Sequence, residues 1–394
     1  MRVSTQKSDS AGIWEDIGNG NWWLNMSANA VFPYVPGVWH HFAHTVSSNA
    51  YQTYADGKPV GSGTLTGTPL LFDSRHNLLI GQSGYLASLN ASAQAINAGV
   101  EVGQKAAAAL LALRANDGLV GVSTYTFQTP GPGVYQPTPP FPYSGPQTPW
   151  LANMTPFTMS TASQFLPKAG PTPLSSREWA EDYNRTKTWG SLLNSPRTAE
   201  QTTIGLFWVP NAGPVYTGML ADLTARHHLN LLDSARLYAM TFAAYGDAFI
   251  ACINAKYHFN FWRPVTAIQQ GDSDGNPETI GDPNWVPLAA TPNHPEYPAA
   301  HGCITGAVTG VIASFFRTSN VSVNVTATYG IPSALGGGTQ TATRSFNNTH
   351  HLLREVQLAR VYGGMHFHHS VVQGSVLGEQ VARHLVENFF RPLR

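Results

Sequence analysis

The stretch 231–261 constrains this chain most, because it is the longest and most apolar of the helix-patterned segments. An element that is apolar on most of its circumference reads as a central helix wrapped by others, not as a surface one. Candidates for the wrapping lie on both sides, at 176–189, 198–208, 214–227, 301–316, 348–362 and 369–390. The expectation is a mainly α protein whose residues 85–394 form an all-α, bundle-like domain. An Ala-rich stretch, 91–114, with Val100, Ala107, Leu110, Leu111 and Leu113, would lead into it and stop at Asn116-Asp117-Gly118. Between 126 and 176 the prolines crowd, among them Pro137, Pro139, Pro140, Pro142, Pro146 and Pro149. They remove backbone donors and break both helix and strand. A connection this long is expected to wrap the surface, pinned by Trp150, Phe157 and Phe165.

Residues 1–84 follow a different period. Trp39-His40-His41-Phe42-Ala43-His44-Thr45-Val46 and Tyr51-Gln52-Thr53-Tyr54-Ala55 carry aromatic and β-branched residues between turn signals. Asp56-Gly57 before Lys58-Pro59-Val60-Gly61 is a hairpin signal, and Leu78-Leu79-Ile80-Gly81 reads as one more strand.

Charge excludes some functions. The 22 basic and 22 acidic side chains cancel, and charged residues make up only 11% of the chain. No global field draws in nucleic acid or an anionic membrane. No apolar run reaches the length of a transmembrane helix, and the Met-Arg-Val-Ser-Thr-Gln-Lys start has no apolar core of a signal peptide behind it. The low charge and the seven Asn-x-Ser/Thr sequons, including Asn25, Asn90, Asn324 and Asn347, suit an extracellular or periplasmic protein. Cys252 and Cys303 fit no zinc spacing. Either a disulfide between them or two buried thiols is compatible with the sequence.

Three short segments concentrate the chemistry. In Lys256-Tyr257-His258-Phe259-Asn260-Phe261-Trp262-Arg263-Pro264 the two cations are seven apart. On one unbroken helix they would share a face. The aromatics between them favour burial, and no acidic residue lies between Ala248 and Gln270. Buried cations need an anion, so a bound oxyanion is favoured over an internal salt bridge, with two snorkelling surface cations as the plainer alternative. In Pro292-Asn293-His294-Pro295-Glu296-Tyr297-Pro298-Ala299-Ala300-His301-Gly302 three prolines rigidify the approach to a helix that begins near His301. Free N–H groups at such a start bind oxyanions, and an imidazole there can move a proton. In Arg360-Val361-Tyr362-Gly363-Gly364-Met365-His366-Phe367-His368-His369 the glycine pair can break a helix and swing His366 back towards Arg360. A divalent metal held by these histidines is disfavoured, since no carboxylate accompanies them in the run and His368 and His369 are expected to face solvent.

Taken together, the three segments resemble the vanadium-dependent haloperoxidase and phosphatidic-acid-phosphatase-like superfamily over about residues 91–394. The blocks of that family are a Lys, six residues and Arg-Pro; then Pro-Ser-Gly-His; then Arg, five residues and His. They are met by Lys256 and Arg263-Pro264, by Pro298-Ala299-Ala300-His301, and by Arg360 and His366. The resemblance implies that Lys256, Arg263, Arg360 and the Ala300 amide hold vanadate, or phosphate in the same site. It makes His366 the axial ligand and His301 the general acid–base. His294, seven before His301, stands where bromide-oxidising members carry a histidine, which favours bromide and iodide. Two departures stand out. Ala299 and Ala300 replace the family Ser and Gly, removing a hydroxyl donor worth about 1–3 kcal/mol. Ser370 stands where an acidic residue often orients the axial histidine, so another group must orient His366.

The implied activity is oxidation of a halide by hydrogen peroxide, with a small organic acceptor downstream. Phosphoester hydrolysis would use the same residues. The β segment, 1–84, resembles half of a laminin-G or concanavalin-like sandwich, on the strength of Trp39-to-Thr45, the Asp-Gly hairpin and Leu-Leu-Ile-Gly. A non-catalytic protein that binds a glycan there, with a decayed helical domain, is the third reading.

Overall fold

The computed structural model describes the backbone of six strands between residues 2 and 64, and then residues 93–119, 125–138 and 148–391. The chain divides into two compact units, Met1–Leu113 and Arg114–Arg394. In the first, β1 (Arg2–Thr5), β2 (Ile13–Gly18) and β3 (Trp23–Ala28) form one antiparallel sheet. A second is made by β4 (Phe42–Val46), β5 (Ala50–Ala55) and β6 (Lys58–Thr64). Ala55 pairs with Lys58, so Asp56-Gly57 joins the two strands where the hairpin signal stands. The expected strand at 78–81 lies outside the described residues. Helix α1 (Ala93–Leu113) completes this unit and exposes Leu110, Leu111 and Leu113.

The second unit is built round α5 (Leu231–Phe259), whose Leu237, Ala244, Ala248, Cys252, Ile253 and Ala255 are fully buried. Asn230 caps its start by accepting from the Asp233 N–H. Around it stand α2 (Arg177–Gly190), α3 (Ala199–Phe207), α4 (Ala212–Arg226), the short α6 (Pro264–Gln269), α7 (Ala300–Phe316), α8 (Thr349–Tyr362) and α9 (His368–Asn388). Among the described residues, no helix is long and apolar enough to cross a membrane.

Helices α7 and α9 meet backbone to backbone. A Cβ on Gly378 would lie 1.9 Å from the Cys303 carbonyl oxygen, and one on Gly306 2.5 Å from that of Ser375. Gly302 and Gly374 make similar approaches, to Val371 O and Ala299 O at 2.5 and 2.6 Å. Removing four side-chain layers lets the first turn of α7 sit directly against α9.

The unit is not all-α, as the helical pattern suggested. Strands β7 (Val323–Gly330) and β8 (Thr339–Phe346) form an antiparallel hairpin. Val323, Val325, Ala327 and Tyr329 enter the core at every second position. On the outer face, hydroxyls pair across the strands, Thr326 with Thr343 and Thr328 with Thr341, each at 2.8 Å. A period of two in β-branched residues wins over the helical surroundings.

The described part of the proline-rich connection, from 148 onward, does wrap the helices. Buried Asp247 of α5 holds it, accepting from the backbone N–H groups of Phe157, Thr158 and Met159 and from the Thr158 hydroxyl. The Phe157 ring lies against Gly246, where a Cβ would come within 2.9 Å, and beneath the Arg114 guanidinium at 4.1 Å. Trp150 and Phe165 pack on the core from the same connection.

Candidate oxyanion site

Lys256 and Arg263 do not share one helix. The helix ends at Phe259 because Asn260 turns left-handed (φ 49°), and Arg263 caps the start of α6 ahead of Pro264. Asn tolerates that conformation better than most residues. Both side chains are nonetheless fully buried and turned into one region. The Lys256 ammonium donates to the carbonyls of Pro295 and Glu296, both at 2.8 Å. Arg263 donates through Nε to His294 O at 2.7 Å and through one terminal nitrogen to Met365 O at 2.9 Å. The same nitrogen stands 3.0 Å from His366 Nε2, while the other is 2.9 Å from His294 Nδ1.

The third segment turns as its glycines suggested. Helix α8 stops at Tyr362, and Gly364 takes φ 71°, a position where a Cβ would strike Gly190 O at 2.5 Å. That turn returns His366 to Arg263. Arg360 is 1% exposed and donates to Trp208 O at 2.8 Å, with its other terminal nitrogen 3.2 Å from the Met365 sulfur. Its Nε has no hydrogen-bond partner among the described residues.

Helix α7 begins at Ala300, one residue earlier than expected, and Ala299 caps it with no side-chain acceptor. The first intrahelical bond is Cys303 N–H to Ala299 O. The amides of Ala300, His301 and Gly302 precede that bond and point off the helix start. The His301 ring bonds the Pro210 carbonyl, and its Nε2 has no partner among the described residues. The ring therefore donates through Nδ1 and turns a lone pair on Nε2 inward.

Burial and mutual repulsion set the protonation states. Burial draws Lys256 down to about 8, Arg263 to about 10 and Arg360 to about 9, so all three stay cationic at neutral pH. His294, His301 and His366 are held well below the usual histidine range, first by burial and then by those cations. They are neutral acceptors. Burial pushes Glu296 up to about 7. Three buried cations thus face one carboxylate, which leaves an excess of positive charge that an oxyanion would neutralise.

Glu296 is the group that the motifs did not single out. Its Oε1 accepts from His366 Nδ1 at 2.8 Å and from the Phe367 N–H at 3.0 Å, and its Oε2 has no partner among the described residues. The signal was available, since Glu296 is the one acidic residue of segment 292–302. The carbonyls of Trp208 and Pro210 that hold Arg360 and His301 left no such signal, because any residue offers a carbonyl. The Ser370 hydroxyl lies 3.4 Å from the Glu296 carbonyl and also helps to lower the pKa of the Glu296 carboxyl against its burial. His368 and His369 do not stand free in solvent. Asp182 accepts both their backbone N–H groups at 2.8 Å, and the His369 ring stacks on Tyr297. Cys252 and Cys303 are both buried as free thiols, so the disulfide alternative falls.

The helical bundle gathers three buried cations, three neutral imidazoles and a helix start about one region. Residues 236–394 match the family described as the VCPO second helical-bundle domain, and residues 2–95 match the concanavalin A-like lectin/glucanases superfamily through its laminin-G model. Vanadium chloroperoxidase of Curvularia inaequalis is 28% identical over 225 residues, 47% of this chain and 36% of that protein. The chain thus spans about a third of the length of that curated relative. A bacterial vanadium-dependent iodoperoxidase structure superposes with a TM-score of 0.60 at 24% identity, covering 77% of this chain and 71% of that one. The holo-type bacterial vanadium-dependent chloroperoxidase gives 0.59 at 17%, covering 77% and 76%. At those identities the two structures establish the fold. The helical part of the chain is similar to the vanadium haloperoxidase superfamily, and the segment before it to a laminin-G-like domain.

Proposed function

We propose that residues 85–394 form a vanadate-dependent haloperoxidase domain that oxidises halide with hydrogen peroxide, bromide and iodide before chloride, and that 1–84 is a partial laminin-G-like segment. One observation carries the reading. Two inward-facing polar atoms, Arg360 Nε and His301 Nε2, lack partners among the described residues in a region that already holds an excess of buried positive charge. A tetrahedral or bipyramidal oxyanion supplies both an acceptor and the missing charge, so the residues present fit vanadate, and phosphate equally.

Lys256, Arg263 and Arg360 would neutralise the oxygens of the anion, with the Ala300 N–H as a further donor. His366 would offer Nε2 to the vanadium, once Arg263 turns from that nitrogen to the anion. Bound vanadate supplies the Lewis acid that polarises peroxide. His301 Nε2, neutral and unpartnered, can take a proton from incoming peroxide and return it, as conversion of halide, peroxide and one proton to hypohalous acid and water requires. His294, held by Arg263, would face the halide, as the histidine at this place in the resembled bromide-oxidising members suggests. A small organic acceptor would take the halogen afterwards. The low charge and the sequons suit an extracellular or periplasmic setting.

The test is dye bromination and iodide oxidation by peroxide, with and without orthovanadate, beside hydrolysis of a chromogenic phosphate ester. Vanadate-dependent halogenation is expected. Ester hydrolysis without halogenation would reverse the assignment towards a phosphatase. Failure to bind either anion, with glycan binding at the β segment, would reduce the helical unit to scaffold.

A further inference from the structure

We propose that Glu296 is the positioning residue of His366, fixing the tautomer and aim of its ring from outside the oxyanion motifs; the inference rests on the oxyanion reading above. The pair is 2.8 Å apart, with both side chains 1% exposed. Glu296 Oε1 already accepts from the Phe367 N–H, which leaves any carboxyl proton to Oε2, so the ring proton sits on Nδ1 and the Nε2 lone pair is directed away from Glu296. That lone pair faces Arg263. The Phe367 N–H binds the same oxygen, so ring and following peptide are pinned at one point. Rotation of the ring would break one charge-assisted bond while the other holds the backbone still.

The carboxylate also sits where it links separate elements. It belongs to the segment leading into α7, whose first turn carries His301, and it holds the residues leading into α9. The carbonyl of the same residue accepts from the Lys256 ammonium. One residue therefore ties Lys256, His366 and the approach to His301 together. Ser370, one turn into α9, is too short for that task and instead contacts the Glu296 carbonyl.

A carboxylate behind an imidazole strengthens the opposite nitrogen as a donor to a metal centre, and losing such a partner typically weakens metal affinity about 10–100-fold. The two anions that fit this site answer differently to that nitrogen. Vanadium takes up a nitrogen lone pair, whereas ground-state phosphate needs only the cations and amides. Removing the Glu296 charge should therefore weaken vanadate binding and leave phosphate binding unchanged or tighter, since a negative charge near the anion is gone.

The experiment is calorimetric titration of full-length parent and Glu296→Gln with orthovanadate and, separately, inorganic phosphate. Thermal unfolding controls for fold, and the nitrogen-15 shifts of the His366 ring report its tautomer. The expected result is a vanadate Kd raised about 10–100-fold with a phosphate Kd equal or lower, and an Nδ1-protonated ring in the parent. Parallel weakening of both anions would show a merely structural role and overturn the proposal, as would an Nε2-protonated parent ring. A parent that binds neither anion overturns the oxyanion reading itself. Should Glu296→Gln not fold, Glu296→Asp, which keeps the charge but shortens the reach, must show the same selective loss of vanadate.

Discussion

Replacing Gly378 by alanine should destabilise the helical unit, although the same change in an open helix stabilises. Two terms oppose. Alanine gains about 1 kcal/mol over glycine in a helix interior. Against this, the new Cβ would stand 1.9 Å from the Cys303 carbonyl oxygen and 2.7 Å from the Ala307 nitrogen, both backbone atoms with no rotamer to yield. Ordinary contact begins near 3.4 Å, so α7 and α9 must separate by more than an ångström along their closest line. A gap of that size forfeits a large share of the dispersion contact along the seam, and overpacking costs typically 1–3 kcal/mol where side chains can adjust. The net loss should be at least about 2 kcal/mol, or roughly 4 °C or more in Tm for a unit of this size. Gly218 is the internal control. It lies exposed within α4 with nothing near its Cβ direction, so Gly218→Ala should gain up to about 1 kcal/mol. Thermal and urea unfolding of both variants decide the matter. A Gly378→Ala protein as stable as the parent, beside a normal gain in Gly218→Ala, would refute the claim that backbone contact seats the first turn of α7.

Three further outcomes follow from the site and its supports. His366→Ala should abolish vanadate retention while His301→Ala keeps the anion and loses turnover; equal retention by the parent and His366→Ala in dialysis would contradict the axial role. Asp247→Ala should cost about 3 kcal/mol or more in urea unfolding, because it orphans donors of Phe157, Thr158 and Met159 at once; a loss below about 1 kcal/mol would mean the connection is held elsewhere. Acid should destabilise the anion-free protein below about pH 6.5. The unfolded chain then protonates His294, His301 and His366, which burial and nearby cations keep neutral in the native state. Glu296, raised to about 7, acts oppositely between its unfolded value and 7, so these four groups together give at most about 3 kcal/mol per pH unit. Vanadate or phosphate should flatten the slope, and a stability that rises as pH falls from 6.5 to 5.5 would refute the assignment of neutral rings.

The sequence exposed the parts of this fold that repeat and hid those that occur once. A helix of many turns leaves a periodic apolar trace, so the central α5 was legible to within two residues of its end. Its end was misplaced because one left-handed asparagine, Asn260, overrides the period. The spacing argument for Lys256 and Arg263 assumed an unbroken helix, yet both side chains arrive in one region by a turn and a new helix start. The hairpin of β7 and β8 was lost within a helical neighbourhood, although Val323, Val325 and Ala327 alternate plainly. The cations and imidazoles of the site were legible because their residue types are expensive to bury. Glu296 escaped because its value lies in a contact across a sequence separation of 70. Distance along the chain is what spacing rules cannot see.

Lys256 is gripped by two main-chain oxygens, and this has a consequence for how such a site can change over time. Every amino acid brings the same oxygen, so drift at position 295 leaves the tether of the lysine intact provided the path of the chain is kept. The ammonium is anchored to a contour rather than to a particular neighbour. A lineage could recast the side chains that line the entrance, and with them the choice of guest, without first loosening the charge that receives it.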